Sequence, residues 1–255
     1  SRVAVRVLCE LARFEARDEK ALYDGVRAIE WGPHLTPRHT LAVSATCKDS
    51  RLTHSHYIAL KTKDAVVDQL RDRFGTRPDV NPEDPDVAIV VRLAKDEATV
   101  YLDLSGESLH RRGYRVALTD AMMKESLAAA VIVLSGWTPP FPFIDPMAGS
   151  GTLAIEAAMI SRRMAPGLRR EFAFERWPSF DEALRRDWTE LRECARAREL
   201  PRAQAPIFAS DGQPNHDFSP APRSGEFSAG LTMSGPTNHV KKMLQPPLSV
   251  PSLTA

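Results

Sequence analysis

The sharpest chemical signal is the run Asp145-Pro146-Met147-Ala148-Gly149-Ser150-Gly151-Thr152. Gly149 and Gly151 let the backbone bend tightly and let a ligand approach it closely. Leu153 to Ile160 reads as a helix, and a helix that opens on such a turn offers free N–H groups to an anionic group. No Gly-Lys-Ser/Thr is present, so the turn is not a phosphate-cradling P-loop. Nor does it have the G-x-G-x-x-G spacing, because no third glycine follows Gly149 and Gly151 on the way to Ile155-Glu156. A tight strand-to-helix turn explains the glycines by themselves. Two acids raise the signal above that: Asp145 ends the apolar run Phe141 to Asp145, and Asp211 ends the run Ile207 to Asp211. A carboxylate at the end of the second strand is placed to take two ribose hydroxyls, as in dinucleotide sites.

Other clusters carry weaker signals. His110-Arg111-Arg112-Gly113-Tyr114-Arg115 is basic with one aromatic. It reads either as a solvated charge cluster or as a phosphate contact at a domain junction, with Arg111, Arg112 and Arg115 toward RNA and Tyr114 packing or stacking. Arg162-Arg163 and Arg169-Arg170 form a similar cluster, and the arginines from Arg185 to Arg198 alternate with acids as on a solvated helix face. His54 and His56 stand two apart at a helix start, so they face different sides and find no acid-rich partner set. No metal site is expected there, and capping by Thr53 or Ser55 is the plain reading.

Those groups need a frame. The chain has 255 residues, with 34 Lys+Arg against 33 Asp+Glu, a balance that excludes a tail-driven, purely electrostatic nucleic-acid binder. Its three cysteines lie far apart with no C-x-x-C, which excludes a disulfide framework and fits a reducing cytoplasm. No apolar run approaches the roughly 20 residues of a membrane span. The start shows no signal peptide and lacks Met, as in a processed product or a fragment.

Residues 1–113 read as an α+β module: strands at Val3 to Leu8 and Thr40 to Thr46, helices at Asp18 to Ile29 and Ser55 to Phe74, and Gly75 as a helix stop. Val87 to Leu93 and Thr99 to Leu104 flank a four-residue loop and predict a β-hairpin. Residues 114–211 read as the opening of a parallel α/β sheet: a helix at Ala121 to Leu134, the glycine turn with its helix, a charged helix at Phe180 to Glu199 and the strand before Asp211. Residues 212–255 are rich in Pro, Ser and Gly without periodicity, so they read as a disordered tail.

On these residues the chain resembles a known family. Asp145 to Ala158 is similar to motif I of class I S-adenosylmethionine-dependent methyltransferases acting on RNA. Leu102 to Arg115 resembles the junction after a THUMP domain in bacterial large-subunit rRNA guanine-N2 methyltransferases. Arg51 to Asp68 resembles that family's central THUMP helix, and Pro166 to Leu168 with Phe172 to Asp181 its inter-motif segment. The resemblance covers roughly residues 1–214 and implies a ferredoxin-like THUMP half that binds ribosomal RNA, then the first part of a Rossmann-like half. It implies that Asp145, Gly149 and Gly151 line the methionine end of S-adenosylmethionine, that Pro146, Ser150 and Thr152 also bind it, that Glu156 sits one turn in, and that Asp211 holds the ribose.

The chain departs from the family pattern in three places. Ser210-Asp211-Gly212-Gln213 lacks a second acid, Met122-Met123 stands where the family has Pro, and no Asn-Pro-Pro-Tyr loop follows Asp211. Thr138-Pro139-Pro140-Phe141 precedes the glycine turn, and Gln245-Pro246-Pro247-Leu248 offers neither the amide nor the aromatic that orient an extruded base. The expectation is therefore a truncated or alternatively ended rRNA methyltransferase, inactive alone, whose second strand is an exposed edge. The alternative is a non-catalytic RNA-binding remnant. A nucleotide-binding dehydrogenase is disfavoured by the glycine spacing and the THUMP-like half.

Overall fold

The computed structural model describes residues 1–115, 123–210 and 231–234. In chain order its elements are β1 (Leu8–Glu15), α1 (Glu19–Arg27), β2 (Thr40–Lys48), α2 (Ser55–Phe74), β3 (Asp79–Val80), β4 (Val87–Ala94), β5 (Glu97–Asp103), α3 (Glu125–Leu134), β6 (Phe143–Asp145), α4 (Thr152–Ser161), a 3-10 turn (Ala173–Arg176), α5 (Glu182–Ala197), β7 (Ile207–Ser210) and β8 (Leu231–Ser234). They form two units. The first holds Ala4–Arg111 with Arg169–Cys194, and the second Ser1–Val3, Arg112–Leu168 and Ala195–Ala255.

The first unit is built on a five-stranded sheet ordered β1-β5-β4-β2-β3. β4 and β5 form the expected hairpin, but its loop has two residues, Lys95 and Asp96, at φ 55° and 62°. Two left-handed residues give the turn whose twist matches the strands, so each strand extends further than apolar content alone suggests. β1 pairs antiparallel with β5 from Leu8 onward. The strand expected at Val3 to Leu8 is thus displaced: Val3, Val5 and Val7 are exposed, and the ladder, not β-branching, sets where the strand begins. β2 runs parallel to β4. α1 starts at Asp18, whose carboxylate accepts the Ala21 N–H at 2.8 Å. α2 ends on Gly75 in the left-handed conformation. Leu22, Val26, Ile58, Val66 and Leu70 of the helices share one core with Ile89, Val91, Leu93, Val100 and Leu102 of the sheet.

Arg169–Cys194 joins this unit although sequence order groups it with the following stretch. Trp177 donates its indole N–H to the Asp86 carbonyl at 2.9 Å, and Arg170 donates to the Ser105 carbonyl at 2.9 Å. Ala173 and Trp177 belong to the same apolar core.

The second unit has a parallel sheet ordered β6-β7-β8. β8 lies within the stretch 212–255 that reads as mostly disordered, and it corrects the expected exposed edge: Leu231 to Ser234 pair with Ile207 to Ser210, so β7 is not the sheet's edge. Four aligned backbone pairs suffice where composition shows nothing. The expected helix at Ala121 to Leu134 is α3, beginning at Glu125, while Ala121 and Met122 lie outside the described residues. Among the described residues no helix is long and apolar enough to cross a membrane, and no cluster of three or more His, Cys, Asp or Glu could hold a metal ion.

Candidate functional site

β6 carries the chain to Asp145, and the glycine turn returns it into α4. Gly149 and Gly151 adopt φ 51° and 72°. Both values lie in the region that glycine enters without steric cost, so the two glycines are what makes this turn possible. Space beside Gly149 is open: a Cβ built there meets nothing within 4 Å. α4 begins at Gly151 without a side-chain cap, leaving its first N–H groups to another partner. The turn is tied to the sheet by the Ala148 N–H, which donates to the Ser210 carbonyl at 2.9 Å.

The predicted residues fall into place unevenly. Asp145 is buried, and its Oδ1 accepts the Met147 N–H at 3.2 Å, so part of its role is to hold the turn. Ser150 Oγ and Thr152 Oγ1 lie 3.0 Å apart, bracketing Gly151. Pro146, Gly149 and Gly151 supply backbone. Asp211 lies outside the described residues; its neighbour Ser210 ends β7, and Ala209 pairs with Asp145 in the ladder.

The arginines are a correction. Arg111 is exposed and pairs with Glu107 at 2.6 Å, as a surface residue should. Arg112 is not at the surface: its side chain is 2% exposed, and its Nε donates to Glu156 Oε1 at 3.4 Å. Arg115 is mostly covered, and its Nε donates to Glu125 Oε1 at 2.8 Å. Charge runs look solvated in sequence because the partner that buries them, here Glu156, stands far along the chain. A lone acid inside the apolar stretch Leu153 to Ile160 is the signal that could have exposed the pair, since an unpaired buried carboxylate is too costly to keep.

Glu156 organises that interior. It is fully buried on α4, its Oε1 also accepts the Tyr114 hydroxyl at 3.1 Å, and Oε2 has no hydrogen-bond partner among the described residues. Burial raises its carboxyl above the ordinary range, with Arg112, Tyr114 and Arg2 opposing. Burial likewise raises the Tyr114 phenol, so it stays protonated and donating. Arg2 donates to the Met159 carbonyl at 3.3 Å, and Arg112 donates to the Arg2 carbonyl. Glu156, Arg112, Tyr114 and Arg2 thus lock residues 112–115 and the chain's first residues onto α4.

The arrangement offers a strand end, a left-handed glycine turn, an open helix head and the end of a neighbouring parallel strand. It suits a polar, elongated ligand with an anionic end. Residues 16–103 match the family described as THUMP domain, and residues 112–216 match the family described as RMKL-like, methyltransferase domain. A candidate RNA methyltransferase of Synechocystis is 42% identical over 213 residues, covering 83% of this chain and 55% of that protein. The ribosomal RNA large subunit methyltransferase K/L of Methylococcus capsulatus is 47% identical over 203 residues, 77% of this chain and 28% of that protein. A solved structure described as a candidate methyltransferase complexed with SAH is 37% identical with a TM-score of 0.77, covering 93% of this chain and 64% of that one. The chain therefore spans about half the length of one curated relative and little more than a quarter of the other.

Proposed function

We propose that this chain, whose residues 16–103 match the THUMP domain family and whose residues 112–216 match the RMKL-like methyltransferase domain family, is the RNA- and donor-binding part of an S-adenosylmethionine-dependent methyltransferase acting on guanine N2 of large-subunit ribosomal RNA. The observation that carries the reading is the turn from β6 into α4, with two left-handed glycines opening on an uncapped helix head. The open side of Gly149 leaves room for the donor against backbone, and the free N–H groups that begin α4 suit the methionine carboxylate. Gly149, Ser150, Gly151 and Thr152 would hold that end, with Asp145 and Pro146 fixing the turn and Asp211 taking the ribose. When bound, S-adenosylmethionine supplies a methyl group on a cationic sulfur.

The chain's own residues then bind and orient. Glu156 and its three partners keep α4 fixed under the turn, so its N–H groups need no rearrangement when the donor arrives. The THUMP unit, with exposed Arg111 beyond its last strand, would take the RNA backbone. Guanine N2 is a weak nucleophile because its lone pair is delocalised into the ring, so transfer needs acceptors that orient the amine.

A second reading, RNA binding without transfer, is supported by the match of residues 16–103 to the THUMP domain family. Incubation with methyl-labelled S-adenosylmethionine and unmodified large-subunit rRNA separates the two. Label above a no-enzyme control supports transfer by this chain, whereas retained RNA without label supports the second reading. Absence of both RNA retention and donor binding would overturn both readings.

A further inference from the structure

Arg115 stands where three pieces of the second unit meet. Its Nε donates to Glu125 Oε1 at 2.8 Å, at the start of α3. Its Nη2 donates to the Met123 carbonyl and reaches Thr152 Oγ1 at 3.5 Å. Glu125 is buried and serves as the fixed point. Thr152 is buried as well, and its hydroxyl lies 3.0 Å from Ser150 Oγ inside the glycine turn. One guanidinium thus links the first turn of α3 to the Thr152 hydroxyl and, through it, to that of Ser150. Three residues earlier, Arg112 fastens the middle of α4 through Glu156.

We propose that Arg115 is a positioning residue for the methyl donor: it holds Thr152, and through it Ser150, in the geometry that donor binding requires. The inference rests on the donor site proposed above. A guanidinium suits the task because its planar fork can serve a carboxylate, a carbonyl and a hydroxyl together, whereas an ammonium on a flexible stem cannot span them in one geometry. A turn held this way before the donor arrives spends no binding free energy on being ordered. The competing role, a contact to RNA phosphate, is opposed by placement: the side chain is 19% exposed and Glu125 already neutralises it.

The full chain decides between these roles, with S-adenosylhomocysteine titrated calorimetrically and RNA retention measured across a salt series. In Arg115→Ala, affinity for S-adenosylhomocysteine falls about tenfold, the scale of one lost charge-assisted hydrogen bond. RNA affinity and its salt slope stay as in the wild type. Thr152→Val added to Arg115→Ala costs less than it does alone, because both act along one chain of contacts. Glu125→Gln keeps the side-chain shape and gives a smaller loss in the same direction, which covers the case in which Arg115→Ala fails to fold. Unchanged S-adenosylhomocysteine affinity in Arg115→Ala, or strictly additive losses with Thr152→Val, overturns the proposal. A salt slope reduced by about one in Arg115→Ala assigns the residue to phosphate contact instead. Wild-type chain that takes up no S-adenosylhomocysteine overturns the donor site and, with it, this role.

Discussion

Arg112→Met breaks the buried pair beneath α4 while keeping much of the side chain's volume. Glu156 is then left fully buried with the Tyr114 hydroxyl and the nearby charge of Arg2, but without its hydrogen-bonded cation. Removing one partner of a buried pair costs about 3–5 kcal/mol, and the two remaining groups place this case near the lower figure. At about 3 kcal/mol, protection of the α4 amides in native-state hydrogen exchange falls on the order of 100-fold near neutral pH. Protonated Glu156 needs no cation, so the loss shrinks on acidification. Replacing both partners, Arg112→Met with Glu156→Leu, restores only part of the protection: the buried carboxylate is gone, but the Arg2 guanidinium and the Tyr114 hydroxyl lose it as a partner. A loss below tenfold, or one that does not change with acid, would refute the argument that Glu156 is an ionised group held by Arg112.

Glu156 also gives the wild type a signed pH dependence. Its folded carboxyl titrates above the ordinary value of 4.5, so its contribution to stability is present below that value and is lost as pH rises through the folded one. Urea denaturation of Glu156→Gln across this range should show a flatter profile than wild type, and identical profiles would contradict it. In the first unit, Gln69 donates to the Arg27 and Ile29 carbonyls at 2.6 Å each and accepts the Trp31 N–H at 3.0 Å. Gln69→Leu should therefore destabilise that unit by about 2–4 kcal/mol, read by urea denaturation of the full chain, since several half-buried groups lose partners at once. Lys95 holds φ 55° in the hairpin turn, so Lys95→Asn should raise the urea midpoint by about 0.5–1 kcal/mol equivalent, because Asn tolerates the left-handed region better.

The local elements were largely legible. α2 runs from Ser55 to Phe74 and stops at Gly75, as its periodicity and stop signal require. The glycine turn, Asp145 and the strand before Asp211 also lie where their types and spacing put them. What was not legible depends on partners distant in sequence. β1 begins at Leu8 because β5 is there to pair with, not because Val3, Val5 and Val7 lack β propensity. Arg112 and Arg115 read as a basic surface because burial of a charge is decided by Glu156 and Glu125, and the pattern around the arginines themselves names neither partner. Trp177 seats Arg169–Cys194 on the first unit through a carbonyl of Asp86. β8 is four residues long in a Pro- and Ser-rich stretch, and its pairing with β7 supplies what its composition does not announce.

Hydrogen exchange of the full chain with and without S-adenosylhomocysteine reports where the donor sits. New protection is expected in the peptide from Asp145 to Ala154, abolished in Gly149→Val, whose side chain would enter the open side of the turn and strain a left-handed φ. Protection confined to other segments, or protection at this turn that survives Gly149→Val, would contradict it.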